Sequence, residues 1–315
     1  MLGRAAQGVY WMSRYLERAE NTARLLNVGL RIALTRGADA AQEDEWRSVL
    51  VTTGQDTLYR AHYADYDSAQ AVNFILRDKA NPASVLRMIE SARTNARMVR
   101  TSITSEVWES TNECWMQLSE ALSRPVRPSN LGEALAAVRR QTTQVRGAIE
   151  GTMLRNEVFN FSRIGTFVER ADNTARILDV KYYVLLPSLA WVGSSLDNAQ
   201  WETLLRSVGG DRVYRWLNKG SMDASGIASF LILGVQFPRS LIFCLNKIMS
   251  NMNGLALEYG GETPSQALVR GSCMALRETS IEQVFEQGLH EFLLQFIANI
   301  ARIDTAISAD YRFVE

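Results

Sequence analysis

Glu17-Arg18-Ala19-Glu20-Asn21-Thr22-Ala23-Arg24-Leu25-Leu26 returns 152 residues later as Glu169-Arg170-Ala171-Asp172-Asn173-Thr174-Ala175-Arg176-Ile177-Leu178, with eight of ten positions identical. Around the first copy, Met12, Leu16, Ala19, Ala23, Leu26 and Leu30 recur every three or four residues, which places them on one side of a helix facing a core. The second copy carries Val168, Ala171, Ala175 and Leu178 in the same way. The chain is rich in Ala, Leu, Arg, Glu and Gln, all good helix formers, and strand-like alternation flanked by Asn-Gly or Asp-Gly turns is missing. These patterns predict an all-α fold.

The correspondence extends beyond the decapeptide. Trp46, Gly54 and Tyr59 answer Trp201, Gly209 and Tyr214, and Phe74, Pro82 and Ser84 answer Phe230, Pro238 and Ser240. A period this long does not suit a solenoid. It predicts two related helical halves, roughly 1–152 and 153–315, packed about a pseudo-two-fold axis in one bundle-like domain spanning 1–315. Breaks are expected at Arg36–Ala40, Arg124–Asn130, Pro187–Asp197 and Gly260–Ser265. Asn81-Pro82 and Phe237-Pro238 fit helix starts, where the missing N–H of proline costs nothing. Glu90-Ser91-Ala92-Arg93-Thr94-Asn95-Ala96-Arg97 is a weaker third echo, of a kind that Ala/Glu/Arg-rich helices produce by chance.

Composition narrows the function. The 34 basic residues balance the 34 acidic ones, so the cationic excess that drives phosphate-backbone binding is missing and no nucleic-acid partner is expected. Cys114, Cys244 and Cys273 are odd in number and widely spaced, which fits a reducing compartment. The first residues, Met1 to Gly8, lack a signal-like apolar run, so the expected location is cytoplasmic. The greasiest stretch, Ile227–Val235, falls short of the roughly 20 residues that span a bilayer and reads as a buried helix, with no membrane expected. His62 and His290 have no sequence neighbours at ligand spacing, and no nucleophile elbow, P-loop or dinucleotide fingerprint occurs, so no metal, catalytic residue or cofactor is expected. The tryptophans Trp11, Trp46, Trp108, Trp115, Trp191, Trp201 and Trp216 read as fillers of helix junctions.

The decapeptide also carries a charged stripe. On a helix Arg14, Glu17, Asn21 and Arg24 fall together opposite the apolar stripe, and Glu169, Asn173 and Arg176 repeat the pattern. A merely solvated face tolerates Lys for Arg or Gln for Asn, yet the two copies keep the same residue types. Two readings follow. In one, the small Ala19, Ala23, Ala171 and Ala175 let the motif helices approach, and Glu17/Arg24 with Glu169/Arg176 form a buried, fully paired network. In the other, Arg18, Arg24, Arg170 and Arg176 line a cleft and grip carboxylates or phosphates, while Glu17 and Glu169 orient them.

The run Leu2-Gly3-Arg4 followed by Val9-Tyr10-Trp11-Met12-Ser13-Arg14-Tyr15-Leu16-Glu17-Arg18-Ala19-Glu20-Asn21-Thr22-Ala23-Arg24 resembles the opening of the Alpha-E family, bacterial helical proteins defined by an E-R motif. Ala96-Arg97-Met98-Val99-Arg100, Ile103 and Glu106-Val107-Trp108-Glu109 resemble another of its blocks, which makes Arg97, Arg100 and Trp108 secondary candidates. Ser13 departs from the expected glycine, with Gly165 at the matching place of the second copy, which bears only on close packing there. The resemblance implies company with a circularly permuted ATP-grasp ligase, often with a transglutaminase-like protease, in forming or modifying peptide amide bonds. It puts weight on Glu17, Arg18, Asn21 and Arg24 and on Glu169, Arg170, Asn173 and Arg176. The expected role is accessory or substrate-handling, with a peptide or amino-acid ligand. Two alternatives stand beside it. One is an all-α Mg-dependent diphosphate enzyme using Glu17/Glu20 and Glu169/Asp172. The other is a structural homodimer built through Ile227, Phe230, Leu231, Val235, Leu241, Ile242 and Leu245, residues that a core helix pair explains as well.

Overall fold

The computed structural model describes residues 3–36, 42–184, 195–218 and 222–313. Among them the chain is all-α. The first seven helices are α1 (Gly3–Arg36), α2 (Gln42–Thr52), α3 (Asp56–Arg60), α4 (Ser68–Arg77), α5 (Val85–Met98), α6 (Ser105–Ala121) and α7 (Pro128–Thr152). They are followed by α8 (Glu157–Val184), α9 (Ser195–Ser207), α10 (Asp211–Leu217), α11 (Ala224–Leu233), α12 (Leu241–Tyr259), α13 (Pro264–Glu278), α14 (Ile281–Gln287) and α15 (Leu289–Asp310). The breaks expected at 37–40 and at 187–194, together with Trp191, lie outside the described residues.

The two motif helices are the centre of the molecule. α1 packs along α8 and also against α5 and α7, while α8 packs against α12 and α15 as well. α6 lies on α5 and α7; α13 lies on α12 and α15. One hydrophobic cluster runs from Ala6 to Ile307. At this central position the charged stripe is packed as the apolar one is. Leu16, Ala19, Ala23 and Leu26 are buried, but so are Arg14, Glu17, Glu20 and Asn21 on the other faces. A helix covered by neighbours all round has no solvated stripe.

α1 and α8 approach closely where the family pattern departs. Ser13 and Ser162 hydroxyls lie 2.8 Å apart. A Cβ on Gly165 would stand 2.4 Å from the backbone oxygen of Tyr10, so only glycine fits the crossing there.

Positions matched by the repeat adopt matched local structures. Gly54 and Gly209 both have φ +69, a left-handed turn that favours glycine, after α2 and α9. Trp46 and Trp201 are both buried. Tyr59 meets Phe74 edge-on at 5.2 Å, and Tyr214 meets Phe230 edge-on at 5.4 Å. Asn81–Ser84 and Phe237–Ser240 form equivalent turns, the Ser84 and Ser240 amides donating to the Asn81 and Phe237 carbonyls at 3.0 Å. Pro82 and Pro238 therefore sit in turns, two residues before Ser84 and Ser240, the N-caps of α5 and α12. The prolines that open helices are Pro128 and Pro264, the first residues of α7 and α13.

Two apolar expectations are also corrected. Val235 and Trp216 are exposed, because Val235 follows the end of α11 and Trp216 lies on the outer side of the short α10. The other residues offered as a dimer surface are core. Among the described residues α15 is long and apolar enough to cross a membrane by length and composition. Its Leu293, Phe296, Ile300, Ile303 and Ile307 are spaced three to four apart and buried against the rest of the chain.

Candidate functional site

Placing α1 beside α8 brings the two Glu-Arg pairs together, and they exchange partners. Arg170 Nε and Nη2 donate to Glu17 Oε1 and Oε2 at 2.8 and 2.9 Å. Arg18 Nε and Nη2 donate to Glu169 Oε1 and Oε2 at 2.6 and 2.8 Å. Each copy thus supplies a carboxylate to the other's guanidinium and receives one in return, in the two-pronged geometry that planar guanidinium favours.

Around this exchange lie two unequal clusters. Glu169 also accepts from Arg14 Nε at 3.0 Å, and Arg14 Nη1 reaches Asp304 on α15 at 2.5 Å. Tyr10 donates to the same Asp304 at 2.5 Å, and the Arg14 guanidinium lies 4.6 Å from the Trp11 ring. This cluster balances two carboxylates with two arginines.

The other cluster holds Glu17 and Glu20, which are 1% and 0% exposed. Besides Arg170, Glu17 accepts from Arg239 Nη1 at 3.1 Å and Arg146 Nη2 at 3.2 Å. Glu20 accepts from Arg24 Nε and Nη2 at 3.0 and 2.8 Å, from Arg239 Nη2 at 2.7 Å and, closely, from Arg146. Asn21 Oδ1 accepts from Arg239 Nη1 at 2.9 Å. Burial alone would push the Glu17 carboxyl up, but Arg170, Arg146 and Arg239 outweigh it and hold it well below the ordinary range. Glu20 is likewise lowered, by Arg239, Arg146 and Arg24 against burial and the neighbouring Glu17. Arg18 and Arg14 overcome burial to lower Glu169.

Of the residues singled out in the sequence, Arg14, Glu17, Arg18, Asn21, Arg24, Glu169 and Arg170 join this assembly. The partners differ from the expected ones. Arg24 and Arg176 bind the acid four residues before them, Glu20 and Asp172, because a helical turn puts those groups in reach. The two-pronged grips between α1 and α8 belong to Arg18 and Arg170, and Arg24 reaches across only to the Ser207 carbonyl on α9, at 3.0 Å. Asn173 stays outside, its Oδ1 buried with no hydrogen-bond partner. Arg97 and Arg100 are exposed and Trp108 is half-buried on α6, apart from the network.

Of the four arginines expected to line a cleft, Arg170 is enclosed, while Arg18, Arg24 and Arg176 keep part of their side chains exposed. The open groove of about 670 Å³ between α1 and α5 is lined by Tyr15, Lys79, Arg87, Glu90, Thr94 and Asn95 among others, and includes none of the motif arginines. Nor are the acids arranged for a metal. Every carboxylate oxygen of Glu17, Glu169 and Asp172 accepts from a guanidinium, and Glu20 is bracketed by three.

Arg146, Arg239, Asp304 and Tyr10 complete the site with Glu20, which the sequence pointed to only as a paired carboxylate of the diphosphate alternative. Glu20 lies within the repeated decapeptide, and Arg239 stands between the matched Pro238 and Ser240 where the first half has Ala83, so both carried a signal. Arg146 and Asp304 carried none. His290 is similar: its Nδ1 lies 2.6 Å from Asp179 Oδ1, a pairing of α15 with α8 across 111 positions.

The chain matches the model of Alpha-E, described as "A predicted alpha-helical domain with a conserved ER motif", over residues 1–311. Uncharacterized proteins of Mycobacterium bovis and Mycobacterium tuberculosis are 25% identical over 324 residues, covering 94% of this chain and 35% of their own length. The chain thus spans about a third of the curated relatives it matches. No solved structure matches it. With Glu-Arg pairs at 17–18 and 169–170 and an all-helical body, the chain belongs to the Alpha-E family.

Proposed function

We propose that this protein is a helical accessory to a circularly permuted ATP-grasp ligase, acting in peptide amide-bond formation or modification and handling a peptide or amino-acid substrate without catalysing the bond change itself. The observation that carries the reading is the reciprocal exchange between Glu17–Arg170 and Glu169–Arg18. It commits both acids of the repeated motif to holding α1 on α8, and a carboxylate enclosed by guanidinium is a poor base or nucleophile because its charge is already stabilised. The three thiols are buried and unpaired, and burial pushes Cys114 and Cys244 up to about 12, so none is an activated nucleophile. Free, buried thiols also support a cytoplasmic setting.

In this reading the two halves, about 1–152 and 153–315, form one domain, and the ER pairs fix their relative placement. The ATP-dependent step belongs to the ligase, and a transglutaminase-like protease is a further partner. The test is chemical crosslinking and co-purification of the chain with a circularly permuted ATP-grasp ligase from the same organism. A one-to-one crosslinked species is expected; none at micromolar concentrations of both proteins would defeat the proposal.

A further inference from the structure

The Glu17/Glu20 cluster is not charge-balanced. Four guanidiniums, those of Arg24, Arg146, Arg170 and Arg239, bond to two carboxylates. The nearby acids do not make up the difference: Glu150 is held by Arg163, while Glu169 and Asp304 are matched by Arg14 and Arg18. Arg170 and Arg239 are enclosed with the two acids, so the surplus charge lies with Arg24 and Arg146 at the edge, where an anion would compensate it. Burial pushes Arg239 down to about 10 in spite of Glu17, with Arg170 and Arg24 repelling it.

A second observation points the same way. Asn21 is wholly buried, and its Nδ2 finds no acceptor on the protein. Its orientation is fixed, since exchanging the amide oxygen and nitrogen would set a donor against Arg239 Nη1. An orphan donor among surplus cations calls for an acceptor bearing negative charge. Arg24 and Arg146, with side chains 18% and 26% exposed, carry the cluster to the surface. The first-half residue that matches Arg239 is Ala83, which brings no charge, and Asn173 leaves an acceptor, not a donor, unpaired, so the second copy shows no such excess.

We propose that Asn21, Arg24, Arg146 and Arg239 form a binding site for a small oxyanion, a phosphate or carboxylate group, seated over the Glu17/Glu20 cluster. The site does not depend on the ligase partnership and is tested separately. Inorganic phosphate and citrate are titrated into the full-length protein by calorimetry at fixed ionic strength. One site per chain is expected, and the tighter probe identifies the oxyanion class. Arg146→Gln, at the partly exposed rim, should weaken binding about tenfold, as loss of a charge-assisted hydrogen bond does. Asn21→Asp supplies the missing negative charge internally and should abolish binding while raising the Tm. Absence of saturable binding of either probe overturns the proposal. So does binding that both variants leave unchanged, or a lowered Tm in Asn21→Asp with phosphate binding intact.

Discussion

At the scale of single residues, the network makes some arginines matter far more than others that look identical in sequence. Arg170→Ala removes a bidentate, enclosed partner of Glu17 and should cost about 3 kcal/mol, the lower end for breaking a buried pair, since Arg146 and Arg239 stay in place. Arg24→Ala leaves Glu20 with Arg146 and Arg239 and should cost about 1–2 kcal/mol, because what is lost is an i,i+4 pair at a partly exposed edge and one hydrogen bond to the Ser207 carbonyl. Urea unfolding of the two variants in parallel measures the difference. Equal losses would mean that the cross-helix exchange contributes nothing special. The identity of Glu, Arg, Asn and Arg across the two copies was readable in the sequence and signalled that these groups were not simply wet. Which acid meets which base was not, because the choice between Arg24 and Arg170 for Glu17 depends on how two helices 152 positions apart are set side by side.

At the scale of elements, the α1–α8 crossing is fixed by size as well as charge. Gly165→Ala would drive a methyl into the Tyr10 backbone, an atom that cannot rotate away. The helices must separate, and overpacking of this kind costs about 1–3 kcal/mol. Separation also lengthens the Arg18–Glu169 and Arg170–Glu17 bonds, so Gly165→Ala and Arg170→Ala combined should cost less than the sum of the two. A double-mutant cycle in urea checks this, and strict additivity would show that the crossing and the ion pairs act independently. The element pattern itself was legible. The apolar spacing of 12–30 marked α1, and the matched Gly54/Gly209 and Tyr59/Tyr214 marked equivalent corners. Periodicity marks the charged stripe but does not say what covers it. A helix at the centre of a bundle has neighbours on every side, so its charged stripe is buried too, provided that each charge finds a partner.

For the whole molecule, the buried acids predict how stability responds to pH. Glu17, Glu20 and Glu169 titrate lower in the folded protein than in the unfolded chain, where a glutamate lies near ~4.3. Their contribution is therefore fully present above that value and is lost as pH falls through it toward the lower folded values. The urea midpoint should stay level from pH 7 to about 5 and drop steeply below about 4.3, and Glu17→Gln should make that drop shallower. Midpoints independent of pH across this range would mean that the network adds no stability. Holding α1 on α8 through charges rather than through apolar contact alone ties the integrity of the centre to their ionisation.

The sequence by itself determined the helices, the duplicated motif and the list of residue types that had to be accounted for, because helical periodicity and local turns are written in spacings of a few residues. It also carried the family likeness. Only the tertiary structure decided that the motif is enclosed, that Glu17 and Glu169 trade partners across α1 and α8, and that Arg146 and Arg239 enter one cluster while Asp304 enters the other. The physical reason is distance along the chain: ion pairs and burial act through space, and the groups that complete this centre come from α7, α15 and the turn before α12, where no local pattern marks them.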